Sequence, residues 1–438
     1  MAADAPARIG MIAGGGAVPA EIAQAILDSG ADLYVIAIDG EADAAILEFR
    51  HKSFGWFGVG RAVEVLRDVG VRDVLLVGTM SRPKLSSARI DLSFLKALPA
   101  VLKILRQGGD DALLRVVIEF FERRGFRVVG VRDVAPDMLL PEGRLGVCAP
   151  LPADDADIAL GFKLIAALGR FDIGQAAIVG AGRIIAIEGA EGTDAMLRRA
   201  AGLRGEAALA SEDRSGVLVK RPKPAQDLRI DLPAIGPGTA IAAGAAGLAG
   251  VAAEAGYVIT ANRGEMIARA DEIGIFVLGV AGGRDAAQDT EVTTLAPKAP
   301  VTFKHIGAVS IQHSARDDAE LGLSVLSVLR DFATGSALVV RRGRVMAIGA
   351  SEPALDVLVR DASYNLKPNR RRGAAVIAAS EPVDGALIEA AAEGGVAAVV
   401  LQPEHLAAAR NISALAATAN SLRIALVAAQ PLAPEAAR

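Results

Sequence analysis

Two polar stretches of this chain carry residue types that could act on a phosphorylated substrate. Glu188-Gly-Ala-Glu191-Gly-Thr193-Asp194 places three carboxylates and a hydroxyl between an apolar run and a helix expected over Ala195 to Ala201. Carboxylates at that density suit a Mg²⁺ ion (or Mn²⁺) held against a pyrophosphate. Helix capping by Thr193 or Asp194 accounts for one or two of these groups but not for all of them. The second stretch, Lys220 to Asp231, contains Lys220, Arg221, Lys223, Asp227, Arg229 and Asp231. Pro222 and Pro224 exclude a central strand or helix there, so a rigid charged loop is expected. Its cations suit a diphosphate, and its carboxylates suit a metal or a water.

Two further segments are candidates by position. Gly14-Gly15-Gly16 follows an apolar run and precedes a helix. Backbone amides at such a turn can hold a phosphate, although a tight turn needing glycine conformations explains the same residues. The pattern is not the G-x-G-x-x-G dinucleotide fingerprint. Gly78 to Pro83 ends another apolar run, where open α/β sheets bind ligands, and Thr79, Ser81 and Arg82 are donors there. The histidines (His51, His305, His313 and His405) are scattered without metal-ligand spacing, and no G-x-S-x-G elbow exists.

Elements must position these residues. Arg8 to Ala13 reads as a buried strand, and Pro19 suits the first turn of a helix running to about Asp28. Leu33 to Ile38 is the next strand, giving a βαβ unit. A helix at Gly60 to Val69, a strand at Asp73 to Val77, a helix at Asp110 to Arg124 and a strand at Phe126 to Val131 continue the pattern. Residues 1–138 therefore read as a doubly wound α/β domain.

The remainder contains an internal repeat. Asp154-Asp155-Ala156-Asp157 and Asp317-Asp318-Ala319-Glu320 each lead into a helix, expected over Gly161 to Leu168 and Leu321 to Leu329. The hairpin-like runs Ala176 to Gly189 and Ala337 to Ala350 follow, each turning at Gly-Arg. Residues 144–282 and 305–430 are thus expected to be two copies of one α/β domain, joined by the linker 283–304. The copies differ in polar residues. Glu188, Glu191, Thr193 and Asp194 face Gly349, Glu352, Ala354 and Leu355, and the charged loop has no counterpart. One working site and one degenerate copy are expected.

Composition sets the bounds. The chain has 438 residues, 52% hydrophobic and 22% charged, with a net charge of −4, so no bias toward nucleic acid is present. The one cysteine, Cys148, excludes an internal disulfide framework and a thiolate zinc cluster. No signal peptide is read before the first strand, and no apolar run is long enough to span a bilayer, so a cytoplasmic location is the default expectation.

The motifs, taken together, resemble the LpxI-type UDP-2,3-diacylglucosamine pyrophosphatases. IGMIAGGGAVP (Ile9 to Pro19), GTMSRP (Gly78 to Pro83), GGDDALLR (Gly108 to Arg115), FDIGQ (Phe171 to Gln175), EGAEGTDAMLRR (Glu188 to Arg199) and KPAQDLRIDLPAIG (Lys223 to Gly236) carry the resemblance. It covers residues 8–282 and implies a Rossmann-like first domain and a catalytic second domain, with a lipid-linked UDP-sugar between them. It implies Mg²⁺-dependent hydrolysis of the pyrophosphate in lipid A biosynthesis, with peripheral contact at the inner membrane. The essential aspartate of the family corresponds to Asp231. Glu188, Glu191 and Asp194 then help hold the metal or assist catalysis. Gln175, Thr193, Lys220, Lys223 and Asp227 bind substrate beside Gly14 to Gly16 and the Thr79 loop. The tail after residue 282 departs from the family. It implies either a homodimer or a monomer in which the extra copy replaces a partner's domain. A nucleotide-sugar sensor without turnover and an NAD(P)-dependent oxidoreductase are the competing readings.

Overall fold

The computed structural model describes residues 8–55, 58–80, 110–209, 214–224, 226–281, 301–335, 337–350, 375–379, 383–402 and 411–431. The first unit alternates strand and helix: β1 (Arg8–Ala13), α1 (Val18–Asp28), β2 (Asp32–Ile38), β3 (His51–Phe54), α2 (Val59–Asp68), β4 (Asp73–Val77), α3 (Asp110–Glu122), β5 (Arg127–Val129) and α4 (Val131–Val134). Its sheet runs β3-β2-β1-β4-β5 with every pairing parallel. Such strands are covered on both faces, which is why they read as unbroken apolar runs. Met11, Leu75 and Val129 enter one core, while Ile12, Leu76 and Val128 enter the other. The order reverses between β1 and β4, and the Gly14 turn and Thr79 stand at that switch point.

The second unit contains β6 (Gly143–Leu145), α5 (Pro152–Gly169), β7 (Ala176–Gly180), β8 (Arg183–Ile187), α6 (Thr193–Leu209) and β9 (Val217–Lys220), then β10 (Ala234–Ile235), α7 (Pro237–Ala245), β11 (Gly250–Glu254), β12 (Ile259–Thr260), α8 (Arg263–Ile273) and β13 (Phe276–Val280). The third contains β14 (Val301–His305), α9 (His313–Arg330), β15 (Ala337–Arg341), β16 (Arg344–Gly349), β17 (Ala375–Ala379), α10 (Gly385–Glu393), β18 (Val396–Leu401), α11 (Ile412–Ser421) and β19 (Ala425–Pro431). Among the described residues, both units contribute to one twelve-stranded sheet, ordered β14-β19-β18-β17-β15-β16-β8-β7-β9-β11-β13-β6. Read outward from its middle, each half is a hairpin, three mutually parallel strands beyond it, and an antiparallel edge strand. The halves meet through β8 and β16, antiparallel, at the pair Ile187 and Ile348.

Helices α5 and α9 begin earlier than the apolar density of their sequences suggested, because their first turns carry mostly exposed residues. Pro152 occupies the first turn of α5, and the Asp154 carboxylate accepts from the Leu151 amide at 2.8 Å. The two hairpins share a second device. Asp157 accepts from the amides of Ala181 (3.0 Å) and Gly182 (2.8 Å), and Asp318 accepts from those of Arg342 (2.8 Å) and Gly343 (2.6 Å). Both turns use a left-handed pair, Ala181 and Gly182 at φ 51° and 72°, Arg342 and Gly343 at φ 52° and 73°. Asp318 therefore does the work of Asp157, so the two aspartate clusters correspond two residues out of step with their first appearance in the sequence. Replacing the buried Asp157 with Ala leaves both turn amides without their acceptor. A loss of about 1–3 kcal/mol in denaturant unfolding is expected, against less than about 0.5 for the exposed Asp155→Ala.

Candidate active site

The polar residues converge at the carboxyl ends of β8 and β9, beside the first turn of α6. Lys220 closes β9 and is buried, with 8% of its surface exposed. Its Nζ donates to Thr193 Oγ1 and to the Ala234 carbonyl, both at 3.0 Å. Thr193 Oγ1 in turn donates to Glu188 Oε1 at 2.7 Å, and Glu188 Oε2 accepts from the Gln175 amide at 2.6 Å. Burial pushes the Lys220 ammonium below the usual lysine range, while Glu188 and Asp194 pull it back up. Thr193 and Asp194 open α6, so the helix amides and their dipole face the same place.

Downstream of Lys220 the chain is clamped at each step. The Arg221 amide donates to the Gln175 carbonyl at 3.0 Å, and its guanidinium pairs with the fully buried Glu254, which closes β11, at 3.3 Å. Lys223 is ion-paired to Asp172. Gln226 accepts from the Lys223 amide at 2.9 Å and donates to the Asp231 carbonyl at 2.7 Å. The Asp231 amide donates to the Asp227 carbonyl at 3.1 Å, so the main chain of Asp231 is fixed on both sides.

Asp231 is delivered to the first unit by its neighbours. Ile230 packs into the core on one face of the five-stranded sheet and Leu232 into the core on the other. Asp231, half-buried, stands between them. A Cβ on Gly130, just beyond β5, would come within 3.0 Å of the Arg229 Cα, so the loop lies against the carboxyl edge of that sheet. The Asp231 loop thus lies at the edge at which α/β sheets hold ligands.

Several sequence expectations change. The glycine turn does not offer free amides. Gly14 N donates to the Val77 carbonyl (2.9 Å), Gly15 N to the Thr79 carbonyl (2.8 Å) and Gly16 N to Asp43 (2.9 Å). Glycine is needed there for close approach: a Cβ on Gly14 would lie 2.4 Å from the Thr79 oxygen. The first two of these amides bind the β1–β4 switch point, and the third is engaged by the Asp43 carboxylate. Thr79 is exposed beside them; Ser81 and Arg82 lie outside the described residues. Asp227 faces Arg229, which donates to it from Nε (3.0 Å) and a terminal nitrogen (2.8 Å) and reaches Glu122 of α3 at 2.9 Å. It belongs to a clasp between the units. Both Glu188 oxygens accept bonds within the protein, and no group of three His, Cys, Asp or Glu side chains gathers to hold a metal among the described residues. Glu191 is tied to Arg199 at 2.9 Å, and burial pushes its carboxyl up although Arg199 opposes this. Sequence reasoning missed Glu254, Asp172 and Arg199; only Glu254, a charge closing an apolar strand, carries a local signal.

The clasp has a pH signature. Hydrogen bonds from Arg229 hold the Asp227 carboxyl below its ordinary range. Its stabilising share is complete above the unfolded value, about pH 4, and is lost as pH falls through the lowered folded value. Asp227→Asn is expected to lower the melting temperature at pH 7 and to flatten its decline between about pH 4 and pH 2, where the parent should fall steeply. Parallel melting curves for the two across that range would contradict the assignment.

Comparison with known proteins agrees with this architecture. Residues 8–138 match the LpxI N-terminal domain, and residues 141–278 match the LpxI C-terminal domain. Over 273 residues the chain is 42% identical to the UDP-2,3-diacylglucosamine pyrophosphatase LpxI of Caulobacter vibrioides, covering 62% of this chain and 97% of that protein. With both domains matched in order and Asp231 held on the seam between them, the chain belongs to the LpxI family.

Proposed function

We propose that the chain hydrolyses the pyrophosphate of UDP-2,3-diacylglucosamine to UMP and 2,3-diacylglucosamine 1-phosphate. The observation that carries this reading is the seating of Asp231 between Ile230 and Leu232 on the edge of the first unit, in a chain with a pyrophosphatase relative at 42% identity. Water oxygen bonds to one phosphorus and the bridging P–O bond breaks. Attack at either phosphorus gives the same two products.

The chain's own residues divide the work. Lys220, locked by Thr193 and the Ala234 carbonyl, supplies a fixed positive field close to the α6 amides. Both favour the charge that develops on the leaving phosphate. Glu188 orients Thr193 and the Gln175 turn and does not meet substrate. Asp231 faces the scissile group from the loop.

The oxygen donors fit a hard dication. Mg²⁺ (or Mn²⁺) is ordinarily held by one or two carboxylates plus substrate phosphates, which suits Asp231 and the exposed Asp194 without a third protein ligand. When bound it would withdraw charge from the pyrophosphate oxygens. The two acyl chains of the substrate bring the protein to a membrane surface, and a cytoplasmic enzyme touching the inner membrane peripherally is the matching location. Among the described residues no helix is long and apolar enough to cross a membrane.

Purified chain with UDP-2,3-diacylglucosamine and Mg²⁺ should release UMP, and chelation with EDTA should stop release. Asp231→Asn should lower kcat by about 10³-fold or more while its melting temperature stays near the parent's. Substrate binding without turnover by the parent would overturn hydrolysis in favour of a sensor.

A further inference from the structure

The β8–β16 seam places the third unit against the loop that leads into the candidate site. Arg199, on α6, has a side chain 5% exposed and spans the seam. It donates to the Ile187 carbonyl at 3.1 Å, to Glu191 Oε1 at 2.9 Å and to the Ile348 carbonyl at 3.3 Å. Ile187 and Ile348 lie at the ends of β8 and β16, last and last but one in their strands, and are the residues paired across the seam. The 188–193 loop also lies on β16 directly: a Cβ on Gly189 would come within 2.9 Å of the Met346 oxygen and 3.1 Å of the Ala347 Cα. Beneath it one apolar core runs without a break from α5 (Leu164, Leu168) to α9 (Leu326, Leu329).

The amino-acid sequence separates two kinds of residue around this seam. Counted from Ile187 and from Ile348, Glu191 and Arg199 recur as Glu352 and Arg360, which lie outside the described residues. Glu188, Thr193 and Asp194 recur as Gly349, Ala354 and Leu355. A contact related by approximate two-fold symmetry uses the same residues from both sides. A chemical site present once needs its residues once. Glu191 and Arg199 follow the first pattern, and the Glu188–Thr193–Lys220 network follows the second.

We propose that residues 301–431 are a built-in partner for the 143–280 unit, and that Arg199, through Glu191 and the Ile348 carbonyl, positions the 188–193 loop. Glu191 is then a positioning residue and makes no contact with substrate. The kinetic part of this inference rests on the proposed hydrolysis; the structural part does not.

The test uses the full chain carrying Arg199→Met, Arg199→Lys, Glu191→Gln and the Glu191→Gln/Arg199→Met pair. Hydrogen exchange should quicken in Arg199→Met at both 187–193 and 346–349, leaving 8–13 unchanged. Each single variant should lower kcat for UMP release by about ten-fold with KM within about two-fold, and the pair should lose no more than the worse single, as for residues acting as one unit. Arg199→Lys, which keeps the charge but cannot reach all three acceptors, should fall between parent and Arg199→Met and guards against outright unfolding of the latter. Faster exchange confined to 187–193 would overturn the partner role. Loss of turnover in Glu191→Gln with a normal Arg199→Met would make Glu191 a substrate contact and overturn the positioning role. If the parent releases no UMP, the hydrolysis reading fails alone, and exchange still judges the seam.

Discussion

A buried ammonium cannot be left unpaired, and Lys220 imposes that rule on everything near it. Its three protons need acceptors, and burial already drives its affinity for them down. The acceptors come from two elements: the first turn of α6 and the segment just after Asp231. One side chain therefore holds the helix terminus and the Asp231 segment at one point. Removing it would free three structural joints as well as a charge, because Thr193 would lose the donor that aligns it toward Glu188. The site is better described as a buried polar network opening onto a seam than as a cluster of ligands in a pocket.

That network works only if the Asp231 loop stays on the first unit. The loop is anchored there by apolar residues on either side of the aspartate and by the Arg229 bridge between Asp227 and Glu122. The anchoring is unequal in kind. Ile230 and Leu232 give burial that pH and salt scarcely alter, while the half-buried Arg229 bridge adds a smaller, pH-dependent share. The bridge sets orientation more than affinity, and the apolar pair keeps the two units together.

Much of this was legible in the residues. Strands β1, β2 and β4 are apolar on both faces and bounded by turns, so they read correctly, as did the Gly-Arg hairpins and the proline-broken loop. What could not be read there is non-local. Gly14 to Gly16 have the types of a phosphate turn, and only the approach of the Thr79 strand end shows that their amides are used. Glu188 and Glu191 look alike in sequence, yet one meets an amide and a hydroxyl and the other a guanidinium eight residues along α6. The register between the two aspartate clusters was misread because both begin with paired aspartates. Contact with the turn amides is what distinguishes Asp157 from Asp154.

The seam between the halves follows from an edge problem. Strand β8 is the last strand of its hairpin, and its unpaired backbone would template association with another chain. The 188–193 loop leaves from that same edge, so whatever covers the edge also bounds the loop. In this chain β16 covers it, with one bridging pair, a guanidinium and the apolar core shared beneath them making the join. A cover made by a long ladder would leave little room for the loop to fold back. A short bridge closed by Arg199 covers the edge and leaves Glu188 free to turn inward toward Thr193. Gly349, Ala354 and Leu355 in the third unit are compatible with this task, because covering an edge needs apolar strands and one clasp but no second set of site carboxylates.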